Sequence, residues 1–250
     1  MLTPRYFFSQ DFQQFQDYFL SRPHRKRTFQ KGDCLWEPGR PCEKIHYFLS
    51  GAAIHYADHE SGRRKIISFH GAGTVFPGYH RTDYRIELSL VTTSLTEIRA
   101  LEFTVPQFQE MFETNTALSE QVVNWYAMYV NRFLFEAVHQ EYNSSLVKIC
   151  NLLYLLSGSP SISSEPPAAP SECAVSEAGI DLTQEEFAGL LGLSRVQLTR
   201  GLGELRSRGI ISTSRCRIQV LNLPLRCAPR KPCSILLLWY RSAPLFVCFK

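Results

Sequence analysis

Thr183-Gln184-Glu185-Glu186 and Ser194-Arg195-Val196-Gln197 stand eleven residues apart and share the form S/T-x-x-E/Q. In such a capping box the hydroxyl accepts from the amide three residues on, and the Glu or Gln accepts from the cap amide. The pair predicts two short helices, from about Gln184 and about Arg195, joined by Leu191-Gly192-Leu193. Two helices so joined are the layout of a helix-turn-helix, whose second helix enters the DNA major groove.

The apolar spacing agrees. Phe187, Leu190 and Leu191 share one face of the first helix, and Leu198, Leu202 and Leu205 share one face of the second. Arg195, Val196, Thr199, Arg200 and Gly203 are left facing outward. Arginine bonds guanine O6 and N7 in a bidentate way, and Thr or Val meets a thymine methyl. Arg208-Gly209 ends the helix, and Ile210–Thr213 with Arg217–Leu221 reads as a two-stranded wing turning near Ser214-Arg215. Asp181 to Lys231 holds nine basic residues against four acidic ones, in a chain whose net charge is +4. A basic segment of this kind suits phosphate. A helical hairpin in some other domain, with its arginines on a solvated face, is the competing reading. Gly201 and Gly203 count against the second helix, since each costs about 1 kcal/mol relative to Ala.

The run from Leu191 through Leu202, followed by Leu205 and Gly209-Ile210-Ile211, resembles the recognition-helix signature of the Crp/Fnr family of bacterial regulators. The resemblance implies DNA-binding roles for Ser194, Arg195, Val196, Thr199, Arg200 and the wing residue Arg215. Arg200 would read guanine, Thr199 would help fix the half-site, and Arg195 would contact backbone or base. Many members carry Glu where this chain has Val196. Valine cannot accept from cytosine N4. The common TTGA or TGTGA half-site is therefore replaced by an expectation of an A/T-richer one.

From about Phe29 to Leu101 short apolar runs alternate with Gly and Pro turns. The runs are Ile45–Leu49, Ala53–Ala57, Lys65–Phe69, Glu87–Val91 and Thr96–Phe103, which suggests a sandwich or barrel. Lys31-Gly32-Asp33, Glu37-Pro38-Gly39 and Ile45 to Gly51 resemble the opening of the family's double-stranded β-helix (jelly-roll) effector domain. The implied fold class is α+β: jelly-roll sensor, long dimerisation helix and winged helix-turn-helix. The expected divisions are 1–115, 116–141, 142–223 and a 224–250 tail without an assigned role.

The family's cyclic-nucleotide cassette needs a Gly-Glu pair and then Arg-Ser or Arg-Thr. Here Gly73 to His80 is followed by Arg81-Thr82 without the Glu, so cAMP is not expected. No cysteine precedes Cys34, which argues against an iron–sulfur cluster of the family type. Haem remains open, with His24, His46, His55, His59, His70, His80 and His139 available. The expected effector is a small apolar or aromatic molecule lined by Phe76, Tyr79, Tyr84, Trp125 and Tyr129, although plain core packing also explains these rings. The layout resembles the branch that senses halogenated phenols.

Residues 116–141 contain no Gly or Pro and read as one long helix. Leu118, Val122, Trp125, Tyr129 and Phe133 form one stripe; Val123, Tyr126, Val130, Leu134 and Ala137 form a second. A helix apolar over so wide an arc is covered on two sides. The resemblance implies a homodimer here, matching a palindromic operator, and contact with RNA polymerase if the protein is an activator. Asn143–Leu156 is expected to open the DNA-binding domain, and Ser157–Pro170, rich in Ser and Pro, to be a surface loop.

The first residues lack the apolar core of a secretory signal, and Ile235–Tyr240 is too short to span a bilayer. A cytoplasmic protein with no membrane partner is expected. Eight scattered cysteines without CxxC suggest free thiols. A redox-responsive version through Cys227 and Cys233, in their basic stretch, is an alternative. A cupin-like metal enzyme built on His55, His59 and Glu60 is another, but that fold's His-x-His spacing is missing. No catalytic or metal site is otherwise expected. A regulator without an effector fits the same sequence.

Overall fold

A computed structural model describes residues 6–37, 39–156, 183–214 and 217–220. The chain forms two compact units, one spanning Arg5–Leu134 and one taking in the chain from Phe135.

The first unit holds two four-stranded sheets. Strands β1 (Phe7–Phe8), β5 (Arg64–His70), β4 (Ala53–Asp58) and β7 (Leu90–Ser94) make one, in that order. Strands β2 (Arg25–Phe29), β8 (Ile98–Thr104), β3 (Lys44–Ser50) and β6 (Val75–Phe76) make the other. All pairings are antiparallel except β1 with β5. Helix α1 (Gln16–Ser21) precedes β2, and α2 (Val105–Thr114) follows β8. The core gathers Phe19, Tyr47, Phe103 and Phe108, with the Phe19 ring tilted against Tyr47 at 4.8 Å. Each such ring contributes roughly 1.5–3 kcal/mol on burial.

Three elements differ from the sequence expectation. Strand β2 lies outside the predicted barrel because four of its five residues are exposed and three are basic; its pairing from Arg25↔Glu102 to Phe29↔Ile98 is made by backbone. Helix α2 was not foreseen, yet it starts with the same capping box: Thr104 Oγ1 accepts from Gln107 N and Gln107 Oε1 accepts from Thr104 N at 2.8 Å. The expected strand Glu87–Val91 is displaced to Leu90–Ser94, because Glu87 to Leu90 closes a turn, with Ser89 N donating to the Glu87 carboxylate at 2.9 Å.

Helix α3 spans Thr116–Tyr142 and runs from the first unit into the second. In the second unit α4 (Ser145–Leu156), α5 (Gln184–Leu191) and α6 (Arg195–Ser207) are followed by β9 (Ile211–Ser214) paired with β10 (Arg217–Val220). The expected 157–170 loop, Arg215 and the 224–250 tail lie outside the described residues. Among the described residues no helix is long and apolar enough to cross a membrane.

Candidate nucleic-acid interface and effector site

Both capping boxes of the decisive stretch are closed. Thr183 Oγ1 accepts from Glu186 N at 3.2 Å, and Glu186 Oε2 accepts from Thr183 N at 2.7 Å. Ser194 Oγ accepts from Gln197 N at 3.2 Å, and Gln197 Oε1 accepts from Ser194 N at 2.9 Å. Gly192 turns the chain between them in the left-handed region, φ 64°, where a side chain would be strained. Leu193 N then donates to Ala188 O at 3.0 Å.

Phe187, Leu190 and Leu191 of α5 and Leu198, Leu202 and Leu205 of α6 are buried. Gly201, a weakness in the sequence reading, is a packing requirement. A Cβ there would lie 2.3 Å from Ile149 Cδ1 of α4. Nothing lies within 4 Å of a Cβ at Gly203.

The outward face of α6 carries Arg195, Val196, Thr199 and Arg200, all exposed, with Ser194 and Gln197 beside them. Thr199 Oγ1 donates to Arg195 O at 2.8 Å, so its proton is used within the helix. Its methyl and lone pairs remain for a partner. Arg208 is tied to Glu204.

In the first unit the five aromatic residues expected around an effector divide into two groups. Phe76, Trp125 and Tyr129 come together: Trp125 stacks on Tyr129 at 5.1 Å, and Phe76 meets Trp125 edge-on at 6.5 Å. Tyr79 instead stacks on Phe112 at 4.2 Å, and Tyr84, 43 % exposed, lies against His80. Tyr126 also turns inward, its hydroxyl donating to Tyr79 O at 2.6 Å.

Sequence reading missed the polar part of this cluster. His70 stacks on Phe76 at 3.8 Å and shares a 2.9 Å hydrogen bond with Ser68 Oγ, which also meets the Tyr129 hydroxyl at 2.8 Å. His55 shares a 2.7 Å hydrogen bond with Thr92. Burial, helped by the charge of Arg132, pulls His55 down to about 4. Burial and His55, with Arg132 third, hold His70 well below its ordinary value. Burial pushes Tyr129 up to about 12. Arg132 itself is 1 % exposed. The signal available in the sequence was a cation three residues after Tyr129 and seven after Trp125, on an otherwise apolar stripe.

The proposed metal trio is not assembled. His55 is buried against Thr92, whereas His59 is exposed in the β4–β5 turn and bonded to Ser61. Cys34 is exposed and Cys42 buried; Cys227 and Cys233 lie outside the described residues.

Comparison with known proteins places both halves. Residues 26–115 match the cyclic nucleotide-binding domain, and residues 147–225 match the Crp-like helix-turn-helix domain. A sensor fold joined to that DNA-binding domain defines a transcription regulator with a ligand-binding domain. The chain belongs to the Crp/Fnr family of such regulators. It is 21% identical over 202 residues to the CRP-like protein Clp of Xanthomonas campestris pv. campestris, covering 77% of this chain and 82% of that one. It is 23% identical over 199 residues to the global nitrogen regulator of Synechocystis sp., covering 78% and 84%. The OCPA-complexed structure of CprK shares its fold with TM-score 0.68 at 17% identity, over 89% of this chain and 98% of that one. The c-di-GMP-responsive regulator CLP of Xanthomonas campestris does so with TM-score 0.64 at 18% identity, over 83% and 98%.

Proposed function

We propose that the protein is a homodimeric, effector-controlled regulator that reads a palindromic operator through α6. The observation that carries this reading is the exposed face Arg195, Val196, Thr199 and Arg200 on α6, whose own capping box is closed, as is that of α5 before it. Arg200 hydrogen-bonds a guanine edge, Val196 and the Thr199 methyl meet thymine methyls, and Ser194, Arg195 and the wing's Arg215 approach the backbone.

Dimerisation is supported by α3. Val123, Ala127, Val130, Leu134 and Val138 are exposed at steps of four, three, four and four residues. That is close to the seam of two helices packed side by side. Palindromic operators need two recognition helices about 34 Å apart, which a symmetric dimer supplies.

The effector is a small molecule held in the first unit by Phe76, Trp125 and Tyr129, with Tyr79 and Tyr84 flanking. The likeness to CprK, solved with OCPA, supports a ligand in this fold and the halophenol-sensing branch as a relative. The broken cassette at Gly73 to Thr82 speaks against cAMP. Ligand shifts a population of α3 conformers. The far end of α3 is bonded to the helix-turn-helix, since Gln140 Nε2 donates to Leu191 O at 2.9 Å and Lys148 Nζ donates to Gln140 Oε1 at 2.9 Å. The site of action is the cytoplasm, with RNA polymerase the partner if the protein activates.

Binding of operator duplexes by fluorescence anisotropy tests the reading. Arg200→Ala should lose about 1–3 kcal/mol per half-site. Val196→Glu should move the preference toward a cytosine at the base it faces. Arg200→Ala that binds the operator as tightly as the wild type, with the same discrimination against a scrambled duplex, would refute it.

A further inference from the structure

Gln140 stands on the last turn of α3, which ends at Tyr142. Its side-chain amide is fully engaged. Nε2 donates to Glu136 Oε1 at 2.7 Å and to Leu191 O at 2.9 Å, and Oε1 accepts from Lys148 Nζ at 2.9 Å. Lys148 Nζ also donates to Gln140 O at 3.3 Å. The end of α3, the start of α4 and the end of α5 therefore meet on one side chain. The amide has a single workable orientation. Turned over, its oxygen would face a carbonyl and a carboxylate, and its nitrogen would face an ammonium.

Leu191 is the last residue of α5, and its carbonyl is one of those that a helix end leaves without an internal partner. Helix α6 is capped by Ser194, only three residues on. Gly192 between them is left-handed, and a Cβ there would lie 3.3 Å from both Nε2 and Oε1 of Gln140. The turn that aims α6 is thus packed against this amide as well as bonded to it. Apolar packing holds α5 and α6 to each other but is non-directional, whereas hydrogen bonds fix an angle.

We propose that Gln140 is a positioning residue for DNA reading. By holding Leu191 O it sets where α6 begins relative to the end of α3, so that a movement there carries the recognition helix with it. This rests on the DNA-reading role of α6 and adds the side chain that places it.

The test compares Gln140→Met and Gln140→Glu with the wild type, all full-length. Fluorescence anisotropy is read on the duplex that the wild type enriches from random sequence and on a scrambled copy. Met keeps the length of the side chain and removes all three amide bonds. Glu keeps the acceptor for Lys148 but sets a carboxylate against Leu191 O and Glu136. Discrimination between the duplexes should fall about tenfold or more in Gln140→Met and further in Gln140→Glu. Affinity of Gln140→Met for the scrambled duplex should not change, because phosphate attraction does not depend on which bases α6 meets. A side chain that only fills space predicts the opposite order, since Glu matches Gln in shape. Wild-type discrimination in either variant, or Glu outperforming Met, overturns the proposal and leaves the DNA reading intact. If the wild type enriches no duplex, the DNA reading fails and this proposal with it. Should circular dichroism show a variant unfolded, Lys148→Met, which frees the amide to turn over, takes its place: reduced discrimination is expected, and wild-type discrimination overturns the proposal.

Discussion

Leu134 is 62 % exposed on α3, one turn beyond Val130, which is 54 % exposed. If this stripe is the dimer seam, Leu134→Ala removes apolar contact without disturbing the helix, because Ala is the best helix former. Complete burial of a leucine side chain is worth about 1.5–3 kcal/mol, so covering the exposed part of Leu134 contributes roughly 1–2 kcal/mol. A two-fold interface uses the same patch twice. The dimer should then lose about 2–4 kcal/mol, a dissociation constant roughly 30- to 1000-fold higher. Sedimentation equilibrium measures that constant, with circular dichroism confirming unchanged helix content. Asn124→Ala, exposed but off the stripe, is the control and should leave dimerisation intact. A Leu134→Ala protein that dimerises as tightly as the wild type would refute the seam.

Ser194→Ala removes the acceptor of Gln197 N and should cost about 1 kcal/mol, read as faster hydrogen exchange in the first turn of α6. Gly201→Val drives a side chain into Ile149 and should destabilise the second unit by about 1–3 kcal/mol in denaturant titration. Gly203→Ala, with open space around it, should be neutral or stabilise by up to about 1 kcal/mol. His55 is pulled from 6.5 to about 4 in the fold, so the unfolded chain takes up the proton first as pH falls. Stability is then full above pH 6.5, falls as pH drops toward about 4, and loses nothing more to this group below that. The loss reaches about 3 kcal/mol, and the slope of unfolding free energy between pH 4 and 6.5 should flatten in His55→Gln.

The helix-turn-helix was legible because its signals are local. Two capping boxes, a glycine turn and a periodic apolar face each lie within a few residues, and each is present where the spacing puts it. The same local signal at Thr104 and Gln107 marked α2 and went unread, since it adjoins a strand rather than a second helix. Strand β2 could not be read from polarity, because its exposed Arg25, Lys26 and Arg27 are held by pairing with distant β8. The effector site was legible only in its aromatic half. Ser68 and His70 share β5, but His55 comes from β4 and Thr92 from β7, and nothing local announces that they meet. Arg132 did carry a local signal, a cation on an apolar stripe, but its burial is a tertiary fact.

The central claim is that this chain is a sequence-specific DNA-binding dimer, and selection of bound sequences from random duplexes, at stated salt and without added ligand and again with a small aromatic compound, tests it most directly. The account predicts enrichment of a palindrome whose A/T-rich half-sites lie about one helical turn apart. No enriched sequence under either condition, or a single half-site without its inverted repeat, would contradict it.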